Sequence, residues 1–115
     1  MPQFTMKIAA DPKQVADLKR FIEEHAKEAS IPVAATSQAL DRDASILHIA
    51  LTAVTTQTIG LIFSLIKDYV SRQLKKPEKP SFAIQIGNVQ VSIKDEKDVA
   101  ELDDVELSAT EDVAD

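Results

Sequence analysis

Phe4, Met6 and Ile8 alternate with Gln3, Thr5 and Lys7, which is the period of a strand buried on one face. The pattern then changes. Asp11-Pro12-Lys13-Gln14 places an N-cap residue, a proline at the first helical position and a glutamine three residues after the cap, together a helix-start signal. Val15, Leu18, Ile22, His25 and Ala29 follow at helical spacing, with Lys13, Asp17, Arg20, Glu24 and Glu28 between them. A helix is predicted from about Pro12 to Ala29, apolar on one side and wet on the other.

Ile31 to Ala35 reads as a short strand, which Pro32 assigns to an edge or a strand start. Beyond it lies the longest feature of the pattern: Ile46 to Ile66 contains no Asp, Glu, Lys or Arg. A continuous run of this kind predicts a long apolar helix, capped by Ser37 or Asp43 and ending near Lys76, because Pro77 and Pro80 cannot continue it. Ser45, His48, Thr52, Thr56, Gly60, Ser64, Lys67, Ser71 and Lys75 would then trace a polar or small stripe along the helix, facing water.

The clearest local signal is Phe82 to Lys94. Phe82-Ala83-Ile84-Gln85-Ile86 and Val89-Gln90-Val91-Ser92-Ile93 flank Gly87-Asn88, a two-residue hairpin turn. Its register puts Phe82, Ile84, Ile86, Val89, Val91 and Ile93 on one face, with Gln85, Gln90 and Ser92 on the other. A short helix from about Lys97 to Asp103 follows. The expected fold class is α+β: a small one-sided sheet (N-terminal strand, short edge strand, C-terminal hairpin) packed on two helices, one long and strongly apolar. One domain spans residues 1–107, and residues 108–115 form an acidic flexible tail.

Charge adds an asymmetry to this picture. The net charge is −6, yet residues 95–115 hold ten acids against Lys97 alone, leaving +3 on residues 1–94. The basic share is concentrated in Lys67, Arg72, Lys75, Lys76 and Lys79. So modest a basic surface beside an acidic tail disfavours nucleic acid as a partner. The chain has no cysteine, which excludes disulfides and thiolate metal sites and fits a cytoplasmic setting. Residues 1–10 lack the pattern of a secretory signal.

The charge-free run also bears on membranes. Its eleven large apolar residues favour a bilayer by roughly 3–7 kcal/mol in all, and His48, Gln57 and the threonines between 52 and 58 offset most of this. The continuous polar stripe favours a helix buried in a soluble protein; a membrane-inserting role for residues 46–66 is the disfavoured alternative.

Catalytic chemistry finds little support. His25 continues the apolar side of the first helix and His48 lies on the stripe of the second, with no ligand-type spacing between them. Gly60 and Gly87 are the only glycines, too few and too far apart for a phosphate loop. The acidic segment from Asp95 lacks the order and glycine of a calcium loop. No catalytic, cofactor-binding or metal-ligating residue is assigned, and no cofactor is expected. The polar residues that interrupt apolar elements, Thr52, Thr55, Thr56, Gln57, Gln85 and Gln90, are the candidate partner contacts.

The order of elements carries a resemblance. An opening strand, the helix segment Val15-Ala16-Asp17-Leu18-Lys19-Arg20-Phe21-Ile22, the segment Phe63-Ser64-Leu65-Ile66-Lys67-Asp68-Tyr69-Val70 and the closing hairpin resemble the effector-associated constant component family of bacterial conflict systems over about residues 4–102. Members of that family accompany variable effectors such as proteases. The resemblance implies a non-enzymatic interaction module of a defence or effector system with a protein partner, acting through an apolar helix or a sheet edge. Homo-oligomerisation is compatible with it. The acidic balance and small size support a different function, an immunity protein that presents carboxylates to a basic toxin.

Overall fold

The computed structural model describes residues 4–52, 54–78 and 80–113. The sequence alternation at the start becomes β1, Phe4–Ala10, with Phe4, Met6, Ile8 and Ala10 buried. The helix α1, Pro12–Glu28, begins as predicted: the Asp11 side chain accepts from the Lys13 N–H and Pro12 occupies the first turn. Val15, Leu18, Ile22 and Ala26 form its buried side.

The exit from α1 carries a local cost. Ile31 N donates to Ala26 O at 2.8 Å and Ser30 N to Lys27 O at 3.2 Å, the paired bonds of a Schellman stop. That motif needs a left-handed residue, and here it is Ser30 at φ 57°, where glycine has no Cβ penalty. Ser30→Gly should therefore raise stability by about 0.5–1 kcal/mol, read as a higher urea midpoint at unchanged slope; a lower midpoint would show that the serine is not held there at a cost.

Two strands follow, β2 (Val33–Ala39) and β3 (Ser45–Leu51), paired antiparallel over their full length. The long helix expected from Ile46 is thus corrected. Ser45–Leu51 is a central strand, and Ser37 and Asp43 cap nothing: the first lies in β2 and the second in the β2–β3 turn. The short strand expected at Ile31 to Ala35 is displaced and lengthened to Val33–Ala39.

The helix that does form is α2, Thr56–Leu74. Its start is a threonine pair: Thr58 N donates to Thr55 Oγ1 at 3.1 Å and Thr55 N to Thr58 Oγ1 at 2.9 Å, so each residue satisfies a backbone donor of the other. Ile59, Ile62, Phe63, Ile66, Val70 and Leu74 form its buried side. No helix among the described residues is long and apolar enough to cross a membrane.

The hairpin forms in the predicted register, β4 (Phe82–Ile86) against β5 (Val89–Ile93), with Phe82 opposite Ile93 and Gln85 opposite Gln90. Gly87, first residue of the turn, has φ +59°. Beyond it, a 3-10 turn (Glu96–Ala100) leads into α3, Glu101–Val113. The acidic segment read as a short helix and a solvated tail is therefore helical to Val113, with Leu102 and Val105 buried.

The five strands form one antiparallel sheet in the order β2-β3-β1-β4-β5. The first four strands have the split β-α-β order, to which the hairpin adds β5 as an edge. The class is α+β, with a larger sheet than expected and a third helix longer than the short one expected from Lys97 to Asp103. Alternate residues Phe4, Met6, Ile8, Leu47, Ile49, Leu51, Phe82, Ile84, Val91 and Ile93 face the helices and form the core with the buried sides of α1 and α2. The radius of gyration of 13.4 Å matches the about 13 Å of a compact body of this length.

Candidate interaction surface

Among the described residues the helices cover one face, and the other face of the sheet is built from the remaining alternate residues. Register alone assembles its central row. Thr36 lies opposite His48, His48 opposite Lys7, Lys7 opposite Gln85 and Gln85 opposite Gln90. One polar row therefore crosses all five strands. Beside it run Gln38, Ile46, Ala9, Ala83 and Ser92 in one direction, and Ala34, Ala50 and Thr5 in the other. Thr36, Lys7, Gln85 and Gln90 are exposed and His48 is half-buried. Ala9, Ala34, Ala50 and Ala83 thus flank the longer polar side chains of the row.

The candidate contacts named from sequence separate into two places. Gln85 and Gln90 sit in the polar row. Thr52, Thr55, Thr56 and Gln57 gather instead at the β3–α2 connection. There Thr52 N and Thr52 Oγ1 donate to Pro32 O at 3.3 and 3.4 Å, while Thr55 caps α2. Thr56 and Gln57 are exposed in the first turn. The cluster is already committed within the fold, since it closes the end of the β2–β3 pair and starts a helix.

Lys7, Thr36 and His48 join the row although none was among the candidate contacts, and His48 had been placed on the stripe of a helix. The signal that would have found them is the alternation of Leu47, Ile49 and Leu51 around His48 and Ala50, once that segment is read as a strand.

The two histidines occupy different layers. His48 is on the open face, whereas His25 on α1 has Nδ1 2.9 Å from Phe21 O and its ring centroid 4.3 Å from that of Phe21. No group of three His, Cys, Asp or Glu residues suited to a metal ion occurs among the described residues.

On the helical side, a polar depression of about 190 Å³ is lined by Asp17, Arg20, Phe21, Glu24, Tyr69 and Arg72, among others. Tyr69 Oη lies 2.9 Å from Asp17 Oδ2 and 2.9 Å from Gln14 Oε1. Burial, and then the Asp17 carboxylate, push the phenol far above its ordinary range, so it stays protonated and acts as a strut between α1 and α2. Arg72 pairs with Asp68 and lies 5.4 Å over the Phe21 ring, a cation–π contact at the rim.

The charge asymmetry is partly resolved within the chain. Lys67 Nζ donates to Asp103 Oδ1 at 2.7 Å and to Glu106 Oε1 at 3.1 Å. The hydrogen bond to Asp103 leads in raising the lysine above its usual value, against an opposing effect of burial. A Cβ at Gly60 would lie 3.7 Å from Glu106 Oε2, so α3 packs along the small and polar stripe of α2. The stripe read as water-facing is in part a helix contact.

A second groove, of about 300 Å³, runs between the end of α1 and the first half of α2, lined by His25, Glu28, Ala29, Ile31, Leu61 and Leu65. Leu61 is 39% exposed there.

The molecule so described is an antiparallel α+β protein with a helix-covered and an open sheet face. No protein-family model, no curated protein and no solved structure matches the chain.

Proposed function

We propose that this protein is a non-enzymatic interaction module of a bacterial defence or effector system, acting in the cytoplasm and binding an effector-type protein through the open face of its sheet. The observation that carries this reading is the polar row Thr36–His48–Lys7–Gln85–Gln90 on a face that no helix covers among the described residues. The system itself is inferred from the resemblance of the element order to the effector-associated constant component family.

Exposed glutamines among alanines offer paired donors and acceptors without charge, on strands rigidly held by the core beneath. A partner that replaces their water with matched hydrogen bonds gains specificity from them.

A second reading rests on α3. Glu101, Asp104 and Glu111 are exposed on a formed helix, a surface suited to a basic toxin and to an association that weakens with salt.

One experiment separates the two. Binding to an effector-type protein such as a protease is measured by calorimetry. The double variant Gln85→Glu/Gln90→Lys, which alternates charge along the row from Lys7, should lose about tenfold or more in affinity while keeping its melting temperature, and Glu101→Lys/Asp104→Lys should not. The reverse pattern, with a steep salt dependence, would replace the open-face reading by the acidic one.

A further inference from the structure

The two edges of the sheet differ. β5 has five residues, and two residues later comes the 3-10 turn, whose Asp98 carboxylate accepts from the backbone N–H groups of the intervening Lys94 and Asp95. β2 has seven residues, all exposed or half-exposed, and stands last in the strand order. Natural edges are usually guarded by a lysine, a proline, a bulge or a very short strand. None of these occurs between Val33 and Ala39, and the pairing with β3 is regular throughout. Residues 29–40 carry no charged side chain in a chain that is 28% charged.

The direction of the free backbone groups follows from the ladder. Leu40 N donates to Ala44 O at 3.0 Å, and Pro32 O accepts from Thr52 N at 3.3 Å. Both are even positions, so the even residues of β2 bond to β3. Val33, Ala35, Ser37 and Ala39 therefore direct their N–H and C=O groups away from the sheet, four residues with both groups free to pair.

We propose that β2 is a dimerisation edge, pairing antiparallel with β2 of a second copy about a two-fold axis at Thr36 to form one ten-stranded sheet. Such pairing is independent of what binds the open face. A two-fold pairing of outward residues must match odd positions with odd ones. The register that uses the whole strand sets Val33 against Ala39 of the second copy, and Ala35 against its Ser37. Both pairs lie on the covered face, so the helices of the two copies share one side and the open faces join.

On the open face, Thr36 meets Thr36, Ala34 meets Gln38, and Pro32 meets Leu40. Leu40, 54% exposed in the single chain, thereby gains an apolar neighbour. No like charges meet, which matters when both bodies carry −6. A second copy is favoured over an unrelated strand because the segment is its own complement: no pairing sets charge against charge or two bulky side chains together within the strand, and the ends meet apolar against apolar. Two-fold pairing is also the commonest closed assembly. An edge of seven residues makes a small interface, so the dimer should form in the micromolar range or weaker.

The test is sedimentation equilibrium of the full chain from about 10 μM to about 1 mM. The native protein should shift from monomer to dimer. Thr36→Lys and Thr36→Glu, which place like charges opposite each other on the axis, should each weaken the dimer about tenfold or more, and an equimolar mixture of the two should dimerise again. Ser37→Pro removes an outward N–H and leaves the bonds to β3 intact, so it should be a folded monomer. A native monomer at the highest concentration overturns the proposal and leaves the edge to an extended segment of another protein. A dimer that survives both Thr36→Glu and Ser37→Pro also overturns it, placing self-association elsewhere, with Leu61 and Leu65 the next surface to examine.

Discussion

Leu47→Lys should abolish folding, whereas Ile46→Lys, one residue earlier, should leave a folded protein. Leu47 is fully buried, opposite Ile8 on β1 and Ser37 on β2. The same row continues through Ile84 and Val91, the middle of the apolar layer beneath the helices. A lysine there either buries its ammonium among these side chains or gives up its proton, and each route costs several kcal/mol. A domain of this size has about 5–15 kcal/mol in total, and lost packing is added to the charge penalty.

Ile46 points to the open face between Gln38 and Ala9 and is only half-buried. Lysine at that position keeps its head in water while its stem covers the alanine, and the cost should stay within about 1 kcal/mol. Thermal melts of lysine variants at 46, 47, 49 and 51 provide the check. A two-residue period in the losses is the signature of the strand; losses recurring every three or four residues would restore a helix there.

The second large effect is expected at Phe63. It is fully buried on α2, with its ring centroid 6.0 Å from that of Phe4 at 59°, so it links the longest helix to the first strand. Phe63→Ala should cost about 3–5 kcal/mol, since neighbouring rigid elements cannot close over the space. Urea denaturation should show a midpoint lowered in proportion with the slope retained. Phe21→Ala is a suitable contrast: that ring is half-exposed between His25, Tyr69 and Arg72 and should cost much less. Equal losses at the two positions would mean that the core is centred nearer α1 than the burial of Phe63 implies.

These positions also show what the sequence makes legible. β1, α1 and the hairpin each combine a clean period with a punctuating residue: Asp11-Pro12 before the helix, Gly87-Asn88 in the turn. β3 has neither. Its open-face positions Ile46 and Ala50 are themselves apolar, so the two-residue period fades into a continuous run. A buried strand and a buried helix look alike in such a run. The charge-free stretch then continues across the connection into α2. The boundary was present as Thr55 and Thr58, a cap made of two threonines in place of the usual acid at its third position.

α3 was obscured by composition. Its acids read as solvated chain, although Leu102, Val105 and Ala109 recur at helical spacing and Lys67 supplies an anchor across the fold. The polar row of the open face depends on register between strands distant in sequence. Gln85 and Gln90, joined by one hairpin, are the part of it that a local pattern reveals. Thr36, His48 and Lys7 reach the row only through long-range pairing.

The place of β1 in the sheet has a consequence for the making of the protein. The earliest strand of this fold is also its middle one, flanked by β3 and β4, and 76 residues separate the end of β1 from the end of β4. At a ribosomal rate of about 5–20 residues per second, the nascent chain carries Phe4, Met6 and Ile8 for roughly 4–15 seconds before both neighbours exist. During that interval the strand is a substrate for chaperones or for a neighbouring polysome product. Slow codons placed between β1 and β4 would lengthen the exposure, and the yield of soluble protein should fall accordingly, with no change in the stability of the molecules that finish folding.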